Sequence, residues 1–481
     1  MQLQRHSNQS ILNFENSQQI GSGGEGAIYA VAPDARLAAK IYHKPTPEHE
    51  KKLLAMFRNP PEDPMRSHGH ASIAWPVDLL RTTGERSRVV GFLMPRVPDM
   101  FSVIDLFVPK SRLEKCPLFT YQYLHRAARN IAAALAPLHA RGYVVGDINE
   151  SNILVSTSAL VSLVDTDSFQ VRDSNGAVFR CSVGKAEFTP PELQGKSLRD
   201  VDRVPAHDLF GLAVLVFQLL MEGTHPFAGQ YQGAGDPPSI VSRIQQGSFP
   251  YSAAPGQYIP PPIAPDITMP DPGILDLFRR CFEHGHTSPG KRPTATEWQE
   301  ALDRAEARLK RCRRNTQHRY GGHLKSCPWC ARAELLGGRD YYPSQRSVQG
   351  GVHLAPPPPK QTALPPVQTT AARTAVKRAA PRARRKSKRG QGRIAAWFGP
   401  KWNSLVRSHP IAHVSICAAA GAVFLGGIRF ALGQTVASMH GWISPVSGLN
   451  HRAAVGLGVA SLVIGSAGSA GAWYALRTRR P

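Results

Sequence analysis

The sequence predicts an α+β fold followed by a tail of different composition. Three observations carry that prediction. Short strand-like runs broken by glycine turns occupy roughly residues 13–97, and amphipathic and fully apolar helical stretches fill 98–309. Cys/His, Pro-rich, basic and apolar blocks then follow one another to the end. A chain of 481 residues has room for two or three domains, and a hydrophobic content of 42% suits a packed core. The formal net charge of +24 is unevenly spread, because nine Lys or Arg fall within residues 377–393. Such a belt reads as a solvated segment that attracts phosphates, whether of anionic lipid or of nucleic acid. Seven cysteines without a ladder-like spacing fit a reducing compartment. The opening MQLQRHSNQSILNF lacks the apolar core of an export signal.

Taken in order, the first motif is Gly21-Ser22-Gly23-Gly24-Glu25-Gly26, a G-x-G-x-x-G set between two strand-like segments. Glycines there let backbone N–H groups approach phosphate oxygens without a Cβ in the way. The competing dinucleotide-binding turn needs a helix straight after the last glycine. Here the chain continues as the strand-like AIYAVAPDARLAAKIY, which excludes it. Lys40 lies inside that second strand. Residues 47–58 read as a helix bearing Glu48 and Glu50, and residues 74–79 and 89–94 as two further strands. Residues 119–139 form an amphipathic helix. Beyond it, YVVGDINESNILVSTSALVSLVDTDSFQ (143–170) is two short apolar runs that end in carboxylates, with Asp147, Asn152 and Asp165 at their turns. An Asp, an Asn and a second Asp on neighbouring turns can orient one hydroxyl and hold metal ions beside a triphosphate.

At these residues the chain resembles the protein kinases. Asp147-x4-Asn152 is similar to their catalytic loop, Asp165-Thr166-Asp167 stands where they carry Asp-Phe-Gly, and Ala38-Ala39-Lys40-Ile41 resembles their V-A-I-K. Further landmarks arrive in the family's order: Thr189-Pro190-Pro191-Glu192, Asp208-Leu209-Phe210-Gly211 opening a buried helix, Gly223-Thr224-His225-Pro226-Phe227, and Lys291-Arg292-Pro293. The resemblance spans residues 13–309. It implies a bilobal kinase-like domain, with 13–97 as the strand-rich N-lobe and 98–309 as the helical C-lobe. It also implies phosphoryl transfer from Mg-ATP to Ser or Thr hydroxyls of protein substrates. In that scheme Asp147 orients the acceptor hydroxyl, Asn152 and Asp165 hold Mg, and Lys40 pairs with the α- and β-phosphates. Gly21, Gly23 and Gly26 line the phosphate loop, and Met94 begins a hinge (94–98) facing adenine. Glu50, or else Glu48, would pair with Lys40, and Glu192 with Arg292.

Several departures bear on activity. Val145-Gly146-Asp147 replaces His-Arg-Asp, so a phosphate on the activation segment lacks its usual arginine. Asn149 stands where many Ser/Thr kinases place a lysine, which removes a positive charge beside the γ-phosphate. Asp167, in place of the motif's glycine, reads as a solvated loop residue with an additional metal ligand as the alternative. These changes leave a nucleotide-binding pseudokinase acting as a membrane scaffold as the second hypothesis.

After the kinase-like span, residues 310–335 hold a knuckle with Cys312, His318, His323, Cys327 and Cys330, one ligand more than tetrahedral zinc accepts. The pair Cys327-Pro328-Trp329-Cys330 with Cys312 and either histidine would complete four. A kinase-like domain followed by C…H…H…CPWC is similar to a bacterial kinase family associated with tellurite-resistance and stress operons. Residues 336–408 read as a Pro-rich and then basic linker. Residues 411–433 and 453–476 are apolar, Gly- and Ala-rich segments, each near the ~20 residues that span a bilayer. Basic residues flank this pair on both outer sides, while the loop between contains only Arg452. The expectation is therefore a multi-pass protein of the bacterial cytoplasmic membrane, with the kinase-like domain inside. The belt would touch anionic lipid, and nucleic acid is not expected as a partner; a zinc- and charge-dependent nucleic-acid binder is the third hypothesis.

Overall fold

The computed structural model describes residues 1–355, with Pro33 and Pro255 excepted. The belt at 377–393 and the apolar segments at 411–433 and 453–476 lie outside the described residues. Among the described residues no helix is long and apolar enough to cross a membrane.

The N-lobe is a seven-stranded sheet: β1 (Gln2–Arg5), β2 (Ile11–Asn13), β3 (Gln19–Ser22), β4 (Gly26–Ala30), β5 (Leu37–Tyr42), β6 (Asp78–Thr82) and β7 (Val89–Pro95). Their spatial order is β2-β1-β6-β7-β5-β4-β3. Its centre is β5 against β7, with Lys40 opposite Phe92. Gly91 is required there, since a Cβ at that position would sit 2.2 Å from the Lys40 carbonyl oxygen. One sheet face buries Leu3, Phe14, Val31, Ala39, Ile41, Leu80, Val90 and Leu93. Helix α1 (Pro47–Arg58) begins at a capping box between Thr46 and His49, with Pro47 in the first turn, and buries Leu53 and Met56.

Strands β1 and β2 were not expected, because the sequence places the domain start at residue 13. They form a hairpin that extends the sheet past β6. Buried Asp78 fixes the hairpin, accepting from Arg5 Nε at 2.7 Å and from the Ser7 backbone N–H at 3.0 Å.

In the C-lobe, the helix Tyr121–Ala140 packs against the helices Pro205–Leu220 and Ala295–Ala307. The first is amphipathic, whereas residues 208–220 of the second are buried on every side, as the apolar run 209–217 demands. A bidentate ion pair crosses this lobe. Arg292 Nη1 and Nη2 each lie 2.7 Å from a Glu192 oxygen, and Arg292 Nε donates to the Gly285 carbonyl at 3.0 Å.

The cysteine-rich element is a hairpin (Leu309–Arg311 with Arg319–Gly321) followed by the helix Pro328–Leu335. It sits on the C-lobe core. Trp329 is buried with its ring centroid 4.8 Å from that of Tyr121, and Arg332 pairs with Glu222. The order also continues past residue 335, where an extended linker is expected. Tyr342 is buried 4.5 Å from Trp329, with the Arg112 guanidinium 4.9 Å above its ring, and a short helix follows at Gln345–Gln349. This aromatic anchor, with Asn315 donating to Asp340 and to the Tyr342 carbonyl, holds a polar segment that composition alone assigns to solvent.

Breaking the Glu192–Arg292 pair strands a fully buried guanidinium. Glu192→Ala should therefore lower stability to denaturant by about 3 kcal/mol. Burial raises the Glu192 carboxyl pKa, but the hydrogen bonds and charge of Arg292 outweigh it and hold the group below its ordinary 4.5. The wild-type advantage over the variant should be complete above pH 4.5 and vanish as the pH falls through the depressed folded-state value.

Candidate active site

The cleft between the lobes gathers groups from five chain segments. From the N-lobe comes Lys40, on β5, with a side chain only 8% exposed. Its Nζ lies 2.7 Å from Asp165 Oδ1 and 2.7 Å from Asp167 Oδ1. Burial opposes the ammonium charge, yet Asp167 and Asp165 together raise the Lys40 pKa above its usual value, so it stays protonated. The turn Gly23–Gly26 closes on itself through Gly23 N–H to Gly26 O at 2.9 Å, and nothing lies within 4 Å of where a Cβ would project at Gly23 or Gly24. Gly21 lies in β3 and Gly26 opens β4. Met94 is near the end of β7, half-buried at the start of the connection to the C-lobe.

The catalytic-loop residues follow the helix Tyr121–Ala140 in a tight path set by one carboxylate. Asp208, at the start of the central helix, accepts from the backbone N–H of Val145 and of Gly146, each at 2.8 Å, and lies 2.9 Å from His139 Nε2. Asp147 then faces the cleft. Asn152 Nδ2 donates to its Oδ2 at 3.1 Å, and the Lys185 backbone N–H donates to its Oδ1 at 3.2 Å. With its amide nitrogen committed to Asp147, Asn152 turns its carbonyl oxygen elsewhere, available to a hard cation. Asp165 stands in the left-handed region at φ 56°, with a side chain 41% exposed toward the cleft. Asn149 accepts from the Ser151 N–H and hydroxyl, which shapes the loop.

Three expectations change. Glu50 does not reach Lys40; it pairs with Arg81 at 3.0 Å and accepts from the Val89 N–H, because it faces the β6–β7 hairpin rather than the cleft. Glu48 is exposed at the first turn of α1. The α1 side chain buried toward the site is Lys52, whose pKa is lowered by burial against the raising influence of Asp167. Asp167 is not a solvated loop residue: its side chain is 2% exposed, with Oδ1 on Lys40 and Oδ2 accepting from the Tyr42 hydroxyl at 2.8 Å. The sequence signal for Asp167 was its position, two residues past a metal-type carboxylate; nothing local announced Tyr42 as its partner.

Arg203 also went unread. Its guanidinium donates to the carbonyls of Gly146 and Val183, so it ties the catalytic loop to the activation segment.

At the cysteine-rich element, the ligand atoms of Cys312, His318, Cys327 and Cys330 all lie within 4.8 Å of one another. Cys312 and Cys330 sulfurs are 3.7 Å apart, and His318 Nδ1 lies 3.5 Å from both Cys327 and Cys330 sulfurs. His318 Nε2 is 2.9 Å from Asp340, the outer carboxylate that orients a metal-bound imidazole. His323 is not in the cluster: its Nε2 sits 3.0 Å from the Thr268 carbonyl. Burial raises the Cys312 thiol, but the N–H groups of Asn315 and Arg314 and the neighbouring thiols bring it down to about 7, while burial pushes the Cys327 thiol up to about 12 and raises Cys330 as well.

The protein kinase domain family matches residues 14–301, more than half of the chain. The protein kinase YegI of Escherichia coli K12 is 35% identical over 318 residues, covering 65% of this chain and 48% of that protein. A probable cAMP-dependent protein kinase catalytic subunit of Encephalitozoon cuniculi is 31% identical over 145 residues, 30% of this chain and 41% of that one. The serine/threonine-protein kinase GRIK1 of Arabidopsis thaliana is 24% identical over 242 residues, 46% of this chain and 54% of that protein. The chain thus spans about half the length of the curated relatives it matches at greatest extent.

Proposed function

Because this chain belongs to the protein kinase family, we propose that it transfers the γ-phosphate of ATP to Ser or Thr hydroxyls of protein substrates. The observation that carries the reading is the contact of Lys40 with Asp165 beside that of Asn152 with Asp147, the two segments being joined by the Val164 N–H donating to the Asn152 backbone carbonyl. Asp147 orients the acceptor hydroxyl and takes its proton, with its two oxygens pre-aimed by Asn152 and the Lys185 N–H. Lys40 binds the α- and β-phosphates, and the open backbone at Gly23 and Gly24 covers the triphosphate. The donor set fits magnesium: the half-exposed Asp165 carboxylate and the free carbonyl of Asn152 are the hard oxygens it prefers. Bound there, the ion would neutralise charge on the phosphates. A second reading, nucleotide binding without transfer, is favoured by the contact of Lys40 with Asp165 itself and by Asn149 at the lysine position.

The Cys312, His318, Cys327 and Cys330 cluster holds zinc in this reading. Its support is the three-thiolate, one-imidazole donor set and the Asp340 partner behind His318. The residues 411–433 and 453–476 form a membrane hairpin that keeps the kinase domain in the cytoplasm of a bacterial cell, with the belt at 377–393 against anionic lipid. That part rests on sequence alone.

Three measurements test these assignments on the full chain. With Mg-ATP, wild type should incorporate γ-phosphate into itself or a generic protein, and Asp147→Asn should lower the rate at least about 10²-fold. Equal silence of both, with ATP still raising the unfolding temperature of both, selects the second reading. Metal analysis of protein purified without chelator should find about one zinc per chain. Cys327→Ser should lose it and lower the unfolding midpoint of the C-lobe, since Trp329 is buried in that core; zinc-free wild type refutes the site. Finally, a reporter active only in the cytoplasm should work after Pro481, and one active only outside should work near Ser444. The reverse pattern, or recovery of the full chain in the soluble fraction, rules out the hairpin.

A further inference from the structure

We propose that Asp167 is the positioning counter-ion of Lys40, so that the phosphate-binding lysine is anchored by the turn after Asp165 and not by α1. The proposal rests on the kinase reading and assigns a residue which that reading leaves without a role. Asp167 spans two points of one strand: Oδ1 takes Lys40 Nζ at 2.7 Å and Oδ2 takes the Tyr42 hydroxyl at 2.8 Å. Lys40 and Tyr42 alternate on β5 and so share a face, which aims both donors at one carboxylate. With both oxygens engaged and a side chain 2% exposed, Asp167 is a fixed charge, whereas Asp165 at 41% exposure faces the cleft.

Helix α1 offers no competing anchor. Glu50 is committed to Arg81 and the Val89 N–H, Glu48 is exposed, and the residue turned inward is the cation Lys52. If Asp167 loses its charge, Asp165 becomes the only carboxylate on Lys40. The lysine is then free to leave its place, and the carboxylate that faces the metal is drawn toward it.

Affinity for ATP measured with and without magnesium separates the possible roles, with unfolding temperature as the control for folding. Asp167→Asn should weaken magnesium-free ATP binding about tenfold, the typical loss for one charged hydrogen bond. It should also raise the magnesium concentration needed for half-maximal phosphorylation. Tyr42→Phe, which releases only the second carboxylate oxygen, should move both readouts in the same direction by about threefold, as for one weaker hydrogen bond. It decides the matter if the asparagine variant does not fold. Glu50→Gln, which touches only the links to Arg81 and the Val89 N–H, should move neither. Unchanged magnesium-free affinity in both Asp167→Asn and Tyr42→Phe overturns the proposal, and a loss confined to magnesium-loaded ATP makes Asp167 a metal ligand instead. A Glu50→Gln loss equal to that of Asp167→Asn returns the anchor to the helix. Wild-type protein that binds no ATP removes the kinase reading, and this inference with it.

Discussion

The catalytic loop depends on Asp208, a carboxylate at the start of a helix that is otherwise apolar on every side. It accepts from two consecutive backbone N–H groups, Val145 and Gly146, and meets His139 at the end of the preceding helix. A buried carboxylate without partners would be expensive, and a turn with two unpaired N–H groups would be as well; each removes the cost of the other. Because the central helix is wedged between its neighbours, Asp208 fixes the loop to the most rigid part of the lobe. Asp147, Asn152 and Asp165 then fall into the cleft as a consequence of chain path, without any of them having to be strongly bonded itself.

Much of this was legible from residue order. Lys40 could be read because β5 and its neighbours are short apolar strands with glycine at the close crossings, and Asp147 and Asp165 because two apolar runs end at them, with Asn152 at the turn between. Glu192 and Arg292 could be paired a hundred residues apart only through resemblance, since no local pattern joins them. The failures have a common cause. Which way a polar side chain turns around a short helix, or out of a three-residue turn, depends on partners distant in sequence. Glu50 and Lys52 are two positions apart on α1, about 200° around the helix, and only the sheet beside them decides which one faces the cleft. Asp167 looked solvated because its partner Tyr42 lies 125 residues upstream. His318 and His323 were equivalent by spacing; the hairpin turns one toward the thiols and the other to Thr268. The β1–β2 hairpin was missed because strands of four and three residues carry too little periodicity to be seen.

The cysteine-rich element changes meaning once its packing is known. In sequence it is an appendage after the last helix of the domain. In the fold, Trp329 and Tyr342 meet Tyr121 edge to face, that residue begins the long helix leading to the catalytic loop, and Arg332 reaches back to Glu222. Three thiols and one imidazole gather on a surface too small to hold itself, and the aromatic pair gives that surface an apolar footing. The element is thus the last layer of the C-lobe, and the segment after it, through residue 354, belongs to the same layer.

Gly146 and Arg203 also bear on how such a protein changes over time. Gly146 sits at φ +75°, and a Cβ there would lie 2.6 Å from Arg203 Nη1 and 2.8 Å from Cys181. The space that a loop arginine would need is already filled by an arginine arriving from the other side. A mutation that restores arginine at 146 collides with Arg203; a mutation that first removes Arg203 unfastens the activation segment from the loop. Either order passes through a damaged intermediate, so the two arrangements are separated by an epistatic barrier. An activation segment read through an arginine at 146 would therefore require paired changes at Gly146 and Arg203.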